Sequence, residues 1–168
     1  MEGKSVLAYS VNTSNDSTYD IFTLTDGSII NVIIYDYCQD MKKNIIKLIK
    51  NINAIVLVYD VTNSKSFDEC KNFYIKEIKE KLQSDIKVIL VGNKSDLLEK
   101  KDISFYEGEK LALENNYFFM ETSCLNNWNV FKAFEIVILS ALSNMREKKY
   151  HRNDSQDKNI INDDCKII

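Results

Sequence analysis

Residues 54–59 read Ala-Ile-Val-Leu-Val-Tyr, and residues 86–91 read Ile-Lys-Val-Ile-Leu-Val. Short apolar runs rich in β-branched residues are the mark of strands covered on both faces. Between them, Ser66–Gln83 carries Phe67, Cys70, Phe73, Tyr74, Ile78 and Leu82 at steps of three and four, which predicts a helix. A strand, a helix and a second strand in that order form a right-handed crossover, so the two strands lie parallel in one sheet.

The same pattern extends in both directions. Upstream, Tyr19–Thr25 and Ile29–Tyr35 alternate as strands and meet at Asp26-Gly27, a hairpin signal because glycine tolerates positive φ. Lys42–Asn51, with Ile45, Ile46 and Ile49, has helical spacing. Downstream, Ser104-Phe105-Tyr106-Glu107 is a capping box that opens a helix to about Asn115. Tyr117–Glu121 is a short strand, and Val130–Met145 is an amphipathic helix whose stripe includes Phe131, Phe134, Val137, Ile138, Ala141 and Leu142. The fold class that follows is α/β: a mostly parallel sheet with one antiparallel hairpin strand and helices on both faces, in three layers. Residues 146–164 turn polar and lose periodicity. The expected organisation is one domain over 1–146 and a flexible tail over 147–168.

Composition narrows the function. Of 168 residues, 45% are hydrophobic and 28% charged, so a packed core is within reach. The net charge of −3 argues against a sequence-independent nucleic-acid binder, which relies on clustered positive charge. Cys38, Cys70, Cys124 and Cys165 are far apart, and His151 is the sole histidine, which makes a zinc site improbable. Neither a secretion signal nor a membrane span is predicted, so reduced thiols and a cytoplasmic setting are expected. With only four glycines, Gly3, Gly27, Gly92 and Gly108, any glycine-dependent phosphate loop has few residues to draw on.

In an open α/β sheet, ligands bind beyond the carboxyl ends of the strands. Polar clusters stand at four such ends here: Asp36; Asp60-Val61-Thr62; Asn93-Lys94-Ser95-Asp96; and Thr122-Ser123-Cys124. Three blocks carry a resemblance: Tyr59-Asp60-Val61-Thr62 with Ser66-Phe67, then Val91-Gly92-Asn93-Lys94-Ser95-Asp96-Leu97, then Glu121-Thr122-Ser123. In order and spacing they resemble small GTPases of the Ras superfamily, the Rab branch above all, over roughly residues 19–146. The resemblance implies a P-loop-GTPase-like G domain, shortened at its N-terminus.

It also implies a guanine site. A carboxylate at Asp96 accepts two parallel hydrogen bonds from the N1–H and N2–H₂ groups of guanine. Adenine lacks that donor pair and is rejected by unpaired buried polar groups, a discrimination that reaches ~10⁴-fold. By resemblance, Asn93 ties the loop and meets the purine, Lys94 lays its aliphatic stem along the base, and backbone N–H groups at Ser123 and Cys124 meet O6. The family pattern there is S-A-K, whereas this chain has Ser123-Cys124-Leu125, so a lysine packing on the base or sugar is lost.

The phosphate half is poorer. A P-loop reads G-x-x-x-x-G-K-[ST]. If Gly3-Lys4-Ser5 is the end of one, Lys4 meets the β- and γ-phosphates and Ser5 ligates Mg²⁺. In the other reading Gly3-Lys4-Ser5 is incidental, and Val6–Val11 (VLAYSV) is itself the strand that fills the middle of the sheet. The family's W-D-T-A-G-Q-E is Tyr35-Asp36-Tyr37-Cys38-Gln39-Asp40 here. Asp36 then matches the residue that holds the Mg²⁺ water, and Gln39 the glutamine that orients the attacking water. Thr18 is set against the switch threonine, although a chance threonine in Asn12–Thr18 is the simpler account. Cys165 stands at the C-a-a-X position of Cys165-Lys166-Ile167-Ile168 and implies prenylation, with Lys166 departing from the aliphatic pattern.

The implied function is a Rab-like guanine-nucleotide switch in vesicle-mediated membrane transport, binding GTP/GDP with Mg²⁺ and hydrolysing weakly. Effector and exchange proteins would be its partners, and a prenylated C-terminus would hold a monomer on the cytosolic face of intracellular membranes. A degenerate GTPase fold serving as an interaction module without turnover is the alternative. An incomplete gene model of an ordinary Rab GTPase is the third reading.

Overall fold

The computed structural model describes residues 17–35, 52–81, 86–152 and 165–167. The chain opens with β1 (Ser17–Thr23) and β2 (Ile29–Tyr35), paired antiparallel with Thr18 opposite Ile34 and Thr23 opposite Ile29. The turn between them closes where expected: Gly27 has φ +83°, its N–H donates to the Leu24 carbonyl, and the Asp26 carboxylate accepts from the Ser28 N–H at 2.8 Å. That left-handed backbone is why glycine stands there.

β3 (Ala54–Asp60) leads into a helical run of three parts. These are α1 (Ser64–Glu69), a π-helical turn (Cys70–Tyr74) and α2 (Ile75–Lys81). Asn63 caps the run by accepting the Ser66 N–H on its side chain, which starts the helix at Ser64 rather than Ser66. Next come β4 (Lys87–Asn93), a 3₁₀ turn (Leu98–Lys100) and α3 (Phe105–Glu114). The capping box at α3 is formed as expected: Glu107 N–H donates to Ser104 Oγ, and the Ser104 N–H donates to the Glu107 carboxylate. β5 (Phe118–Glu121), α4 (Val130–Arg152) and β6 (Cys165–Ile167) complete the described chain.

The sheet order is β1-β2-β6-β3-β4-β5, with every pairing parallel except the β1–β2 hairpin. Period-two alternation divides the continuous apolar runs between two cores. Ile55, Leu57 and Tyr59 of β3, with Val88 and Leu90 of β4, pack beneath Phe67, Ile75, Leu111 and Ala112 from α1, α2 and α3. Ala54, Ile89 and Val91 turn the other way, onto Phe134, Val137, Ile138, Ala141 and Leu142 of α4. Val137 and Ile138 are fully buried, each worth about 1.5–3 kcal/mol by area. A strand buried on both faces has no polar side, which is why its sequence shows no alternation.

Two expectations are corrected. The domain boundary at 146 falls inside α4, which continues to Arg152 because residues 146–152 hold good helix formers and no glycine or proline. Cys165–Ile167, expected within the flexible tail, is a strand in the middle of the sheet, held by backbone pairing and by burial of Ile167. That is the gap expected for Val6–Val11, which lie outside the described residues, as do the expected helix Lys42–Asn51 and Leu82–Gln83 of the helix after β3.

Candidate functional site

Three consecutive parallel strands, β3, β4 and β5, end in polar loops that are bonded to one another. Asp60 pairs in register with Asn93, and Gly92 with Glu121, so the three ends are level. Beyond them the loops are stitched by side chains. Asn93 Oδ1 accepts from Thr122 Oγ1 at 3.2 Å and from the Cys124 N–H at 3.3 Å. The Ser95 N–H donates to the Thr122 carbonyl, and Ser123 Oγ donates to Asp96 Oδ1 at 2.5 Å. Asn93, Ser95, Thr122 and Ser123 are all buried. A buried asparagine with its acceptor doubly engaged makes a rigid join between two loops, because freeing it would leave polar groups unsatisfied.

Asp96 stays partly exposed, and Ser123 fixes its carboxylate by a charge-assisted hydrogen bond. Lys94 adopts φ +65°, and its ammonium lies 2.5 Å from Asp60 Oδ2. Asp60 Oδ1 accepts from the Thr62 N–H and Oγ1 at 2.9 and 2.7 Å. Burial pushes the Asp60 carboxyl up, but the hydrogen bonds from Lys94 and Thr62 outweigh it and hold the group below its usual range. Behind the loops, Lys101 Nζ meets Glu121 at 2.7 and 2.8 Å, with both side chains largely buried.

The loop after β5 folds back on itself. Ser123 and Trp128 exchange both backbone hydrogen bonds, at 3.0 and 2.9 Å, and the side chain of Asn129 donates to the Glu121 carbonyl. Asn127 and Asn129 have φ of 52° and 59°, a region asparagine tolerates better than most residues. The Ser123 N–H, assigned by resemblance to a base carbonyl, is therefore engaged by Trp128. The Cys124 N–H is likewise engaged, donating to Asn93 Oδ1 at 3.3 Å. Burial, and to a lesser degree the Asp96 charge, raise the Cys124 thiol, with the hydrogen bond to Asn93 opposing them. Leu125, in place of the family's lysine, is 82% exposed.

Together the two loops gather the Asp96 carboxylate, the Cys124 backbone and the Lys94 side chain just beyond the ends of β4 and β5. A model of the Ras family matches residues 9–143 of the chain. The chain belongs to the Ras family. Its parallel sheet, two-sided helices and single antiparallel hairpin are those of a G domain. The Ras-family chain is similar to Ras-related protein Rab-8A of Bos taurus, 37% identical over 136 residues that make up 80% of this chain and 65% of that protein. It is also similar to Rab-8B of Homo sapiens, 35% identical over 130 residues, and to Rab-8 of Diplobatis ommata, 36% identical over 134. The matched region spans 62 to 65% of the length of these three relatives.

Of the residues predicted for this Ras-family site, Asn93, Lys94, Asp96, Ser123 and Cys124 are brought together. Lys4, Ser5, Asp36 and Gln39 lie outside the described residues. Thr18 is within β1, not in a loop ahead of the hairpin. Among the described residues no group of three or more His, Cys, Asp or Glu is placed to hold a metal ion, and no helix is long and apolar enough to cross a membrane. Asp60, Lys101, Trp128 and Asn129 are site-building residues that sequence reasoning gave no such role. Their only sequence signal is position, at or just beyond strand ends.

Proposed function

We propose that the chain is a Rab-like guanine-nucleotide-binding switch protein in vesicle-mediated membrane transport. The observation that carries this reading is the Asp96 carboxylate, fixed by Ser123 at 2.5 Å beside the Asn93 join of the two base-side loops. GTP or GDP would be the ligand, its guanine N1–H and N2–H₂ read by Asp96, its face covered by the Lys94 stem and its O6 met by the Cys124 N–H. Mg²⁺ would be held by Ser5 and Asp36, with Thr18 as a further candidate, and phosphates by Lys4. Gln39 would orient the attacking water. With no glycine in Tyr35–Asp40, where the family's switch carries one, hydrolysis would be slow, since positioning and charge stabilisation supply most of phosphoryl-transfer catalysis.

Effector and exchange proteins would read the bound nucleotide, and prenylation at Cys165 would hold a monomer on the cytosolic face of an intracellular membrane. A second reading, an interaction module without turnover, draws support from Leu125. Its exposed apolar side chain offers none of the packing that the family's lysine gives the base.

The test is calorimetric titration of the full chain with GDP, XDP and ADP. Guanine preference is expected, with ADP excluded by ~10⁴-fold, and Asp96→Asn should move that preference toward xanthine, whose C2 carbonyl suits an amide donor. Unchanged base preference in the variant removes the guanine-site assignment. Absence of any nucleotide binding leaves the interaction-module reading in its place.

A further inference from the structure

Trp128, the one tryptophan of the sequence, stands directly opposite Ser123. Their backbones exchange both hydrogen bonds: the Ser123 N–H donates to the Trp128 carbonyl at 3.0 Å, and the Trp128 N–H to the Ser123 carbonyl at 2.9 Å. In such an antiparallel pair the Cα atoms lie about 5.5 Å apart and the two side chains leave on the same face. The indole therefore departs on the side of the Ser123 hydroxyl, which donates to Asp96 Oδ1 at 2.5 Å and accepts the Asn126 N–H at 3.2 Å. The backbone that carries it is pinned on both sides. Asn127 and Asn129 have φ of 52° and 59°, the Asn129 side chain donates to the Glu121 carbonyl, and the Asn129 carbonyl accepts the Ala133 N–H as α4 begins.

Ser123 is 1% exposed, whereas Trp128 is 54% exposed. A large aromatic ring on a fixed backbone, half in water, can bury its remaining surface with little further loss of entropy. We propose that Trp128 is a positioning residue for guanine: its indole covers the Ser123–Asp96 hydrogen bond, keeps water from it, and so fixes the carboxylate that reads the base. The inference rests on the guanine site proposed above. Open to water, Asp96 would exchange its bond to Ser123 for bonds to solvent, and its orientation would loosen. With water excluded the same charge-assisted bond is stronger. Hypoxanthine keeps the N1–H of guanine and lacks only the N2 amine, so a loosened carboxylate loses the preference for guanine over hypoxanthine first.

The experiment uses the full chain and two readouts. Because Trp128 is the one tryptophan, emission excited beyond the tyrosine band reports on that residue. GDP should change this emission, saturating where the calorimetric heat of binding saturates, and ADP at the same concentration should leave it unaltered. Emission that stays constant while calorimetry shows GDP bound overturns the proposal. Calorimetry with GDP and IDP then measures the ratio of the two affinities. Trp128→Ala should lower that ratio by about three- to tenfold, and Trp128→Phe, which keeps a ring on that face, should recover most of it. Equal weakening of GDP and IDP, as general loosening of the fold would give, refutes a role through Asp96, and so does an unchanged ratio. If Trp128→Ala does not fold, the wild-type emission decides. A wild-type chain that binds no GDP removes the guanine site and this inference with it, whereas the other failures leave that site standing.

Discussion

The ammonium of Lys94 and the carboxylate of Asp60 meet at 2.5 Å, joining the ends of β4 and β3 beneath the loop that carries Asp96. Lys94 has a left-handed backbone, φ +65°, which costs a non-glycine residue roughly 1–2 kcal/mol. The ion pair and the Leu97 N–H donating to the Lys94 carbonyl hold it there. Its ammonium is thereby tied to the end of β3.

Asp60→Asn should therefore weaken nucleotide binding without changing which base is preferred. The pair is partly exposed, so the loss is modest, about 1 kcal/mol or roughly fivefold in Kd. Titration of the variant with GDP and XDP measures both quantities. The sign with pH is fixed by the depressed Asp60 carboxyl. Its contribution is complete above the ordinary carboxylate range and is lost only as pH falls through the lower folded value. Kd should thus be flat in this term from pH 7 to about 5.

Stability should fall on the alkaline side. Burial pushes the Cys70 thiol up to about 12 from an ordinary 9.0, and raises the Tyr59 phenol as well, with Glu121 the next contributor. Both groups keep their protons when folded, whereas the unfolded chain begins to release them near pH 9. The unfolded state then binds fewer protons, so stability decreases as pH rises from there toward the folded values. Urea midpoints at pH 8 and about 10.5 should differ in wild type, and Cys70→Ala or Tyr59→Phe should each flatten the difference.

Among the described residues the Tyr59 hydroxyl is buried without a hydrogen-bond partner, wedged against Gly92 and Gly108. Removing it should be neutral or stabilising by about 1 kcal/mol, because an unsatisfied polar atom is lost from the core. A Cβ at Gly108 would fall on that hydroxyl and within 2.6 Å of Phe119 Cζ. Gly108→Ala is expected to destabilise by about 1–3 kcal/mol through overpacking, with part recovered in a Tyr59→Phe background. Thermal melts of the three variants check this.

Lys101 and Glu121 are paired with side chains 19% and 9% exposed. Lys101→Ala would strand a buried carboxylate, at a cost of about 3–5 kcal/mol. The double change Lys101→Met with Glu121→Gln should lose much less. Chemical denaturation of both variants is the measurement, and equal losses would show that the charge pair is not what matters.

The parts of the fold legible in the sequence were those governed by short-range rules. Gly27 marked its turn, Ser104 and Glu107 marked a cap, and the runs at Ala54 and Ile86 marked two-faced strands. The base-side loops were legible because Asn93, Lys94, Asp96, Ser123 and Cys124 follow directly on two of those strands. Asp60 was visible as a polar residue at a strand end and as part of a family-like block, without its ion-pair role. Its partner lies on a different strand, and nothing local in either segment encodes the approach. The same holds for Lys101 with Glu121, and for the return of Trp128 onto Ser123.

By itself the sequence determined that strands and helices alternate, which residues face a core, and that polar loops gather at one edge. Periodicity, turn chemistry and capping act within a few residues and leave a mark in the chain. Only the tertiary structure decided that Lys94 answers to Asp60, that Ser123 orients Asp96, and that Cys165–Ile167 enters the sheet between β2 and β3. A three-residue segment carries too little pattern to declare itself a strand. What makes Ile167 one is a pairing slot and a buried seat, both supplied by residues distant in sequence.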